Sequence, residues 1–548
     1  MKATATDLLV TNARIYTVDS ARPWASAFAV RDGRIVAFDD DAVATDAATT
    51  VDVHGATVMP GLVDVHNHHA LAGHSDLYEL VFSPAASLPE VLDAIRMHAA
   101  SVAEGEWIVG GSWGSTLFDE LARPEALAAL DAASNGHPVV LTDDSRHNRW
   151  VNSQALERAG VTAETHDPVG GRILRDATGA PTGVMLEQAG LVVERVRAAA
   201  NPPTPEQSRQ ASARGIEILH SYGITAFQDA AISLDALSAL QSLDEAGELT
   251  AWVVTCLLVN DPIFGFPVTG DELIAHGEIH RSEHHRPDFI KIFLDGVPPA
   301  HTGAFLEPYL PTAEYGDHFC GNTTMSAGKL LARLRSAAAL GLSAKIHCSG
   351  DAAVRMVLDS VEILRTEGVT QRYQIAHGQF ISEADVPRLA TLGVSADISP
   401  FLWVPGVIPD AIATAVPAER AARMQPNRAL IDSGALVAGG SDWPVSETPN
   451  AWEGIEGLVT RADPSGRHPG TLWADQAITV SEAIEVFTIN GARAMGLDDV
   501  TGSLEIGKSA DFIVLSANPL ELAADRLATV HVTETWFAGE RVYARQSG

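Results

Sequence analysis

The sequence predicts an α/β protein: a (β/α)₈ barrel of the TIM type, a small β-sandwich domain formed from both termini, and an α/β insertion after barrel strand 1. Three observations carry this prediction. Short apolar strands alternate with amphipathic helices through the middle of the chain, and both ends contain only short strands separated by glycine-containing turns. The gap between the first two barrel strands is too long for one crossover helix.

The barrel is predicted from eight short apolar runs at residues 59–74 and 206–495. Each run is followed by a helical pattern, as expected for parallel βα units that close into a barrel. The runs are GLVDVHNH, ITAFQDA, TAWVVTCLLV, DFIKIFLDG, SAKIHCSGD, YQIAHGQF, VSADISP and LVAGGSDWP.

The two ends of the chain are predicted to fold together. Residues 1–58 and 496–548 each contain too few strands for a stable sandwich alone, so we expect them to pair. Residues 75–205 are predicted as the α/β insertion, and a Pro-rich segment, NPPTP, ends it. Its expected strands are WIVGGSW, PVVLTDD and GGRIL.

Composition limits the partners and the compartment. The formal net charge of -33 disfavours nucleic acid and anionic membranes as partners, because both would repel the surface. The three scattered cysteines cannot form a disulfide framework, which favours a reducing compartment. The start of the chain lacks an apolar core of signal-peptide length, and no run reaches the ~18 apolar residues of a membrane span. We therefore expect a cytoplasmic protein.

Polar residues end or interrupt the predicted barrel strands, where barrel enzymes place their active sites. Imidazole and carboxylate groups are the ligands that suit zinc and similar ions, and residues two apart on a strand share a face. The sequence therefore predicts one or two divalent metals at this end of the barrel. The candidate ligands are His66, His68, Lys291, His347, His377 and Asp442.

Each candidate also has a simpler explanation. A lone histidine at a strand end is more often a structural group than a ligand. A buried Lys291 needs a partner, and a salt bridge to Asp295 or Asp229 would supply one. Asp442 could cap a turn. The metal site is favoured because the candidates end or interrupt different strands in barrel order.

The motifs resemble those of a known family over essentially the whole chain. The order PGLVDVHNH, KIFLDG, IHCSGD, AHGQF, GGSDWP and SLEIGKSADFIVL is similar to that of the amidohydrolase superfamily. Within it, the chain resembles the amidohydrolase 3 branch of YtcJ-like hydrolases. The segments that carry this second resemblance are HPVVLTDDSRHNRWVNSQAL, PTGVMLEQA, GITAFQDA and KIFLDGVPPAHTGAFLEPY.

The resemblance implies zinc as cofactor and a role for each ligand. Lys291 is expected to bridge two metals as a carbamate formed with carbon dioxide, which removes the problem of a buried ammonium. Asp442 is expected to be the catalytic residue that takes a proton from the attacking water and returns it to the leaving nitrogen. A homodimer is usual for the family. The implied sets are His66, His68 and Asp442 for the more buried metal, and His347 and His377 for the second.

The insertion departs from the branch pattern at two places. An expected Asp-Gly-His is Ser145-Arg146-His147 here, and an expected Gly-Trp-Asp is Trp113-Gly114-Ser115. These changes point to a pocket with its own specificity. Ordinary loop packing or surface placement is the competing interpretation for the substrate-binding candidates Trp113, His147, Glu187, His301 and Trp443.

Three functions compete for this scaffold. The first is hydrolysis of a small-molecule amide at a non-peptide C–N bond, with deformylase action on an N-substituted formamide, giving formate and an amine, as the best expectation. The second is a cyclic amide hydrolase or a deaminase. The third is a non-enzymatic scaffold, which the complete ligand set disfavours.

Overall fold

The computed structural model describes residues 5–200, 202–261 and 263–546. The chain begins with short strands, and its eighth strand, β8, is the first strand of the barrel. The elements are β1 (Ala5–Thr11), β2 (Arg14–Tyr16), β3 (Trp24–Ala25), β4 (Phe28–Arg31), β5 (Arg34–Phe38), α1 (Asp39–Val43), β6 (Asp46–Asp52), β7 (Thr57–Pro60), β8 (Leu62–Asn67) and α2 (His69–Tyr78).

A separate sheet follows, in the segment where an insertion was predicted. Its six strands run in the order β13-β14-β12-β11-β10-β9, and its helices pack on that sheet. The elements are β9 (Leu80–Val81), α3 (Leu88–Ala99), β10 (Ile108–Trp113), α4 (Phe118–Leu121), α5 (Pro124–Ala133), β11 (Val139–Asp143), β12 (Asn148–Val151), α6 (Ser153–Arg158), β13 (Gly171–Arg175), β14 (Pro181–Glu187) and α7 (Gly190–Ala200).

The chain then returns to the barrel and completes it. Beyond Asn201, which lies outside the described residues, the elements are α8 (Pro205–Ser221), β15 (Ile224–Ile232), α9 (Leu234–Glu245), β16 (Trp252–Leu258), α10 (Gly270–Gly277), β17 (His285–Phe293), α11 (Ala327–Ala339), β18 (Ser343–Cys348), α12 (Asp351–Thr366), β19 (Tyr373–His377), α13 (Val386–Leu392), β20 (Val394–Ile398), α14 (Val407–Ala415), α15 (Ala418–Ala421), α16 (Asn427–Asp432), β21 (Val437–Gly439), α17 (Ala451–Thr460), α18 (Val480–Val486) and α19 (Ile489–Met495).

The eight predicted barrel strands form one parallel sheet in the order β21-β20-β19-β18-β17-β16-β15-β8. These strands are buried almost throughout, which explains why they are nearly continuous apolar runs. The sheet closes where Asp442 N–H donates to the His66 carbonyl at 2.6 Å and His68 N–H donates to the Trp443 carbonyl at 2.9 Å. The prediction of a TIM-type barrel is confirmed.

Helices α2 and α8 flank the insertion in sequence and pack on each other at two glycines. A Cβ on Gly73 would lie 2.0 Å from the Ala211 carbonyl oxygen, and one on Gly215 would lie 2.3 Å from that of His69. The Thr204 and Gln207 side chains form a capping box that begins α8. The insertion therefore leaves the barrel and returns to it beside one helix pair.

The last strands, β22 (Phe512–Leu515), β23 (Val532–Phe537) and β24 (Glu540–Ala544), join the first ones. Since β22 pairs with β7, one six-stranded sheet has the order β24-β23-β22-β7-β2-β3, and a second sheet has the order β5-β4-β1-β6. The two sheets share a core that contains Phe28 and Phe512. The predicted domain limits stay predictions, and residues 1–4, 547 and 548 lie outside the described chain.

No helix among the described residues has the length and apolar character needed to cross a membrane.

Candidate active site

Three buried side chains meet at the C-terminal ends of the barrel strands. The candidate ligand atoms of His66, His377 and Asp442 all lie within 4.8 Å of one another. His66 Nε2 and His68 Nε2 are each 3.4 Å from Asp442 Oδ1, and His377 Nε2 is 3.8 Å from Asp442 Oδ2. Ligands bound at about 2.1 Å to a tetrahedral zinc ion are about 3.4 Å apart. The spacing therefore fits a shared metal ion.

Three of the histidines are oriented by a hydrogen bond at Nδ1, which leaves Nε2 to face the cavity. Metal-binding histidines commonly have such a second partner. Burial lowers the pKa of His66 and His347, and it lowers that of His377 to about 3, so the rings are held in the neutral form that binds metals. The pairs are His66 with Asp397 at 2.7 Å, His347 with Asp295 at 3.1 Å, and His377 with Ser399 Oγ at 3.2 Å.

Asp442 is held in position by its backbone. It has a left-handed φ of 56°, and the Ser441 N–H and hydroxyl before it donate to the Asp64 carboxylate at 3.0 and 2.6 Å. Asp64 also accepts from His66 N–H at 3.0 Å, so one buried carboxylate fixes both segments of the site. Burial alone would raise the pKa of Asp442, but the facing imidazoles of His377 and His66 hold it well below its usual range.

Lys291 is buried on β17 beside the histidines, with Nζ 4.7 Å from the Phe293 ring centroid. Burial, together with the charge of Lys345, lowers the pKa of Lys291 to about 8. The salt bridges considered for it from sequence are not formed. Asp295 accepts from His347, and Asp229 lies 2.7 Å from His69 Nδ1.

Two adjoining cavities meet at these residues. The first, of about 310 Å³, is called here the histidine lobe. The second, of about 450 Å³, is called the apolar lobe, and Ser115 and Asp144 add polar groups to it. The histidine lobe is lined by the six predicted ligands, Ser145, Arg146, His147, Ile263, Phe264, Phe293 and Val445. The apolar side chains specific to the second lobe are Val297, Pro298, Pro299, Leu402, Ile408 and Ile412.

The insertion supplies one wall of both cavities through the loop after β11. His147 lines both lobes, and its ring centroid is 5.4 Å from that of His347. Its Nδ1 lies 2.9 Å from the Glu187 carboxylate, which also accepts from the Thr302 hydroxyl at 2.6 Å. Burial opposes both charges, but mutual attraction raises the pKa of His147 and lowers that of Glu187. Glu187 thus orients His147 from behind.

The other four substrate-binding candidates, Glu187, Trp113, His301 and Trp443, do not line either cavity. Trp113 is fully buried in the insertion core, where its indole N–H donates to the Leu141 carbonyl at 3.2 Å. The His301 ring packs against Tyr309 and Tyr315. Trp113 and His301 make these packing contacts outside the two cavities, and their contact with substrate stays a prediction.

For Trp443, too, contact with substrate stays a prediction. Its side chain is buried in the barrel core, and its backbone carbonyl accepts a hydrogen bond from His68 N–H near the site. The aromatic side chains that do line a lobe are Phe264 and Phe293. Phe293 could have been found from sequence, since it lies two residues after Lys291 on the same face of β17. Phe264 lies in an irregular loop and gave no such signal.

An eight-stranded parallel barrel that collects imidazole and carboxylate groups at its C-terminal ends defines a metal-dependent hydrolase scaffold. Residues 49–543 match the sequence pattern of the amidohydrolase family, Amidohydro_3. The chain belongs to this family. It is a metal-dependent hydrolase of carbon–nitrogen bonds, as the motifs predicted.

Curated relatives extend over nearly the whole chain. Protein LONG AFTER FAR-RED 3 of Arabidopsis thaliana is 30% identical, covering 98% of this chain and 91% of its own. The N-substituted formamide deformylase of Arthrobacter pascens is 29% identical over 98% of both chains. The putative amidohydrolase YtcJ of Bacillus subtilis is 26% identical over 90% of both.

More distant comparisons agree with the fold. An imidazolonepropionase of Deinococcus deserti is 25% identical over 73% of this chain and 83% of its own. A solved structure of an uncharacterized metal-dependent hydrolase from Pyrococcus horikoshii superposes with a TM-score of 0.73 and 23% identity, covering 94% of this chain and 99% of that one.

Proposed function

We propose that this hydrolase converts a small N-substituted formamide into formate and an amine. The observation that carries the proposal is the meeting of two cavities at Asp442 and the surrounding histidines. A substrate amide bound at this junction has its acyl group in one cavity and the substituent on its nitrogen in the other. The similarity to the deformylase relative, which covers 98% of both chains, supports the same reaction.

The proposed cofactor is zinc, held by the six residues predicted from sequence. The Nε2 atoms of His66, His68 and His377, at 3.4 to 3.8 Å from the Asp442 carboxylate, suit such an ion. A divalent metal there supplies Lewis-acid polarisation of the amide carbonyl and lowers the pKa of water.

Lys291 is proposed to carry a carbamate. Its neutral amine would form an N–C bond to carbon dioxide and release one proton, leaving an anionic oxygen ligand. A pKa of about 8 leaves roughly a tenth of the amine neutral at pH 7, and the Asp295 and Asp229 carboxylates that could neutralise an ammonium are engaged elsewhere. The carbamate replaces a buried cation by a group that attracts metal.

Asp442 is proposed as the residue that moves the proton. As the oxygen of water bonds to the formyl carbon, an Asp442 oxygen accepts the water proton. It then donates that proton to the amide nitrogen as the C–N bond breaks. Asp442 is the ionised carboxylate among the proposed metal ligands, and its burial shields the transfer from bulk water.

The preference for a formyl group is proposed to arise from crowding. Phe264, Phe293 and Val445 surround the histidine lobe, so an acyl group larger than formyl meets side chains instead of open space. A pocket that merely adds apolar surface discriminates by only ~1–3 kcal/mol per methylene, so exclusion requires a clash. The apolar lobe then receives the substituent on nitrogen.

Cyclic amide hydrolysis is the second candidate, because an imidazolonepropionase is among the relatives. The two candidates are separated by measuring kcat/KM for N-benzyl amides of increasing acyl size, together with lactams, on protein of measured metal content. A steep fall from formyl to acetyl supports the formamide. Equal or higher rates on acetyl or on lactams would reject it.

The remaining expectations also stay proposals. We propose that the sheets built from the two termini form one small β-sandwich domain, that the protein is a cytoplasmic homodimer, and that it acts on a small molecule without nucleic-acid or membrane partners. Sedimentation of the purified protein tests the oligomeric state.

A further inference from the structure

Arg146 is a buried cation in the wall of the histidine lobe. The residue is only 9% exposed, and its Nε has no hydrogen-bond partner among the described residues. Its guanidinium also forms no salt bridge within the described parts of the chain. The side chain lies in the same lobe as His68, Lys291 and Asp442.

The neighbouring carboxylates are engaged with other residues. Glu79, the carboxylate that acts most strongly on Arg146, accepts from the Ser75 hydroxyl at 2.6 Å. Asp143 accepts from the Asn148 amide at 2.7 Å and from the Ser145 hydroxyl at 2.6 Å. Burial lowers the pKa of Arg146, and the carboxylates of Glu79, Asp143 and Asp442 offset this only in part, since none of them forms a salt bridge with the guanidinium.

An arrangement of this kind is costly without an anion. Removing a charge from water is unfavourable unless the charge is paired and hydrogen-bonded. Here the guanidinium also lies near groups proposed to hold divalent cations, which would repel it. Its backbone has a left-handed φ of 60°, a conformation that favours glycine, and the related branch motif has glycine at this position. The arginine therefore departs from the branch motif at this position.

We propose that Arg146 binds a carboxylate on the substrate, and that the preferred substrates are N-acylated α-amino acids with a small acyl group. This inference rests on the proposed amide hydrolysis and specifies its substrate class. A guanidinium matches the two oxygens of a carboxylate with two parallel hydrogen bonds, which gives both affinity and orientation.

The shape of the site accommodates the three substituents of such a molecule. With the scissile bond at the junction beside Asp442, the carbon attached to nitrogen lies between the two lobes. Its carboxylate enters the histidine lobe toward Arg146, and its apolar side chain enters the apolar lobe against Leu402 and Ile408. The histidine lobe then holds both the carboxylate and the acyl group, so the acyl group must be small, and a formyl group occupies the least space.

The kinetic test compares N-benzylformamide with both enantiomers of N-formylphenylglycine and of its neutral amide. The wild type is expected to prefer the carboxylate in at least one enantiomer. Arg146→Gly is expected to lower the ratio of kcat/KM for the acid to that for its amide on the order of 100-fold, the loss typical of a buried charge pair. Arg146→Lys should retain part of the preference. Arg96→Gln removes an exposed charge from the same insertion and should leave the ratio unchanged.

An equal loss on acid and amide would overturn the proposal, because Arg146 would then act on the amide bond or on the metal site. A wild type that hydrolyses amides without favouring the acid would also overturn it.

A binding test is independent of turnover. Phenylacetate and phenylacetamide are titrated calorimetrically into wild type and Arg146→Gly, each with zinc and after chelation. Phenylacetate is expected to bind at least about tenfold more weakly to the variant, both with zinc and after chelation. Phenylacetamide should bind the wild type and the variant with equal affinity. Equal affinities, or no binding of phenylacetate to the wild type, would refute the carboxylate site. Arg146-dependent binding without amide turnover would instead reject only the proposed hydrolysis.

Discussion

The carboxylate of Asp397 joins the imidazole of His66 to the ammonium of Lys345. His66 Nδ1 lies 2.7 Å from Asp397 Oδ2, and the same oxygen accepts from Lys345 Nζ. Lys345 also donates to the Val65 carbonyl at 2.8 Å. All of these groups are buried, so the orientation of a proposed metal ligand depends on three barrel strands, β8, β18 and β20.

Asp397→Asn is expected to weaken metal binding about 10–100-fold, as is typical when the second partner of a ligating histidine is lost. Chelator competition measures the affinity. Because the change leaves Lys345 unpaired in the core, the double variant Lys345→Met with Asp397→Asn is the matched control. It should recover thermal stability but not metal affinity. Unchanged affinity in both variants would contradict a role for Asp397 in orienting His66.

Asp442→Asn is expected to reduce kcat about 100- to 10,000-fold while leaving the fold intact, because the asparagine side chain cannot take up the water proton. Turnover, metal content and circular dichroism are measured together. Asp119→Asn, an exposed change in the insertion, should behave as wild type. Near-normal turnover by Asp442→Asn would remove this residue from the mechanism.

Lys291→Ala is expected to lose bound metal and activity, since the proposed carbamate oxygens are lost with the amine. A short carboxylic acid added in solution should restore part of both. Protein prepared in isotopically labelled bicarbonate should show a carbamate resonance that Lys291→Ala lacks and that exposed Lys329→Ala keeps. A metal-loaded wild type without that resonance would show that Lys291 is not carboxylated.

Glu187→Gln is expected to lower kcat/KM roughly 10–100-fold, the effect of losing one charge-assisted hydrogen bond of about 1.5–3 kcal/mol to His147. Metal content should stay normal, because neither residue is a proposed ligand. Glu125→Gln, exposed in the same insertion, is the control. Loss of metal in Glu187→Gln would mean that the pair supports the metal site and not the substrate.

His220 should make stability depend on pH. Its ring is buried between the Ile224 carbonyl and the Thr250 hydroxyl, and burial lowers its pKa from 6.5 to about 4. Between these values the unfolded chain binds a proton that the folded chain does not, so stability falls as the pH is lowered. The expected loss is about 2 kcal/mol between pH 7 and pH 5.

This dependence is measured by urea unfolding of metal-free protein. His220→Gln can still donate to the carbonyl and accept from the hydroxyl but does not titrate, so its stability should fall less over the same range. An identical pH dependence in the variant and the wild type would count against this assignment.

The sequence alone determined the elements and the candidates for the metal site. The barrel strands were recognisable because strands buried on both faces must be apolar for their whole length. The candidates His66, His347 and His377 followed from a rule of topology, since the C-terminal ends of parallel strands lie at the same end of a barrel. The long interval before Ile224 located the insertion, because one crossover helix cannot fill it.

The tertiary structure alone decided which side chains reach the cavity and which partners they have. Trp113 and Arg146 both belong to the insertion, yet Trp113 lies in its core and Arg146 lines the histidine lobe. Likewise, Asp295 pairs with His347 and not with Lys291. Local patterns specify strands and helices through periodicity. Contacts between residues far apart in the chain depend instead on how the barrel closes and how the insertion packs against it.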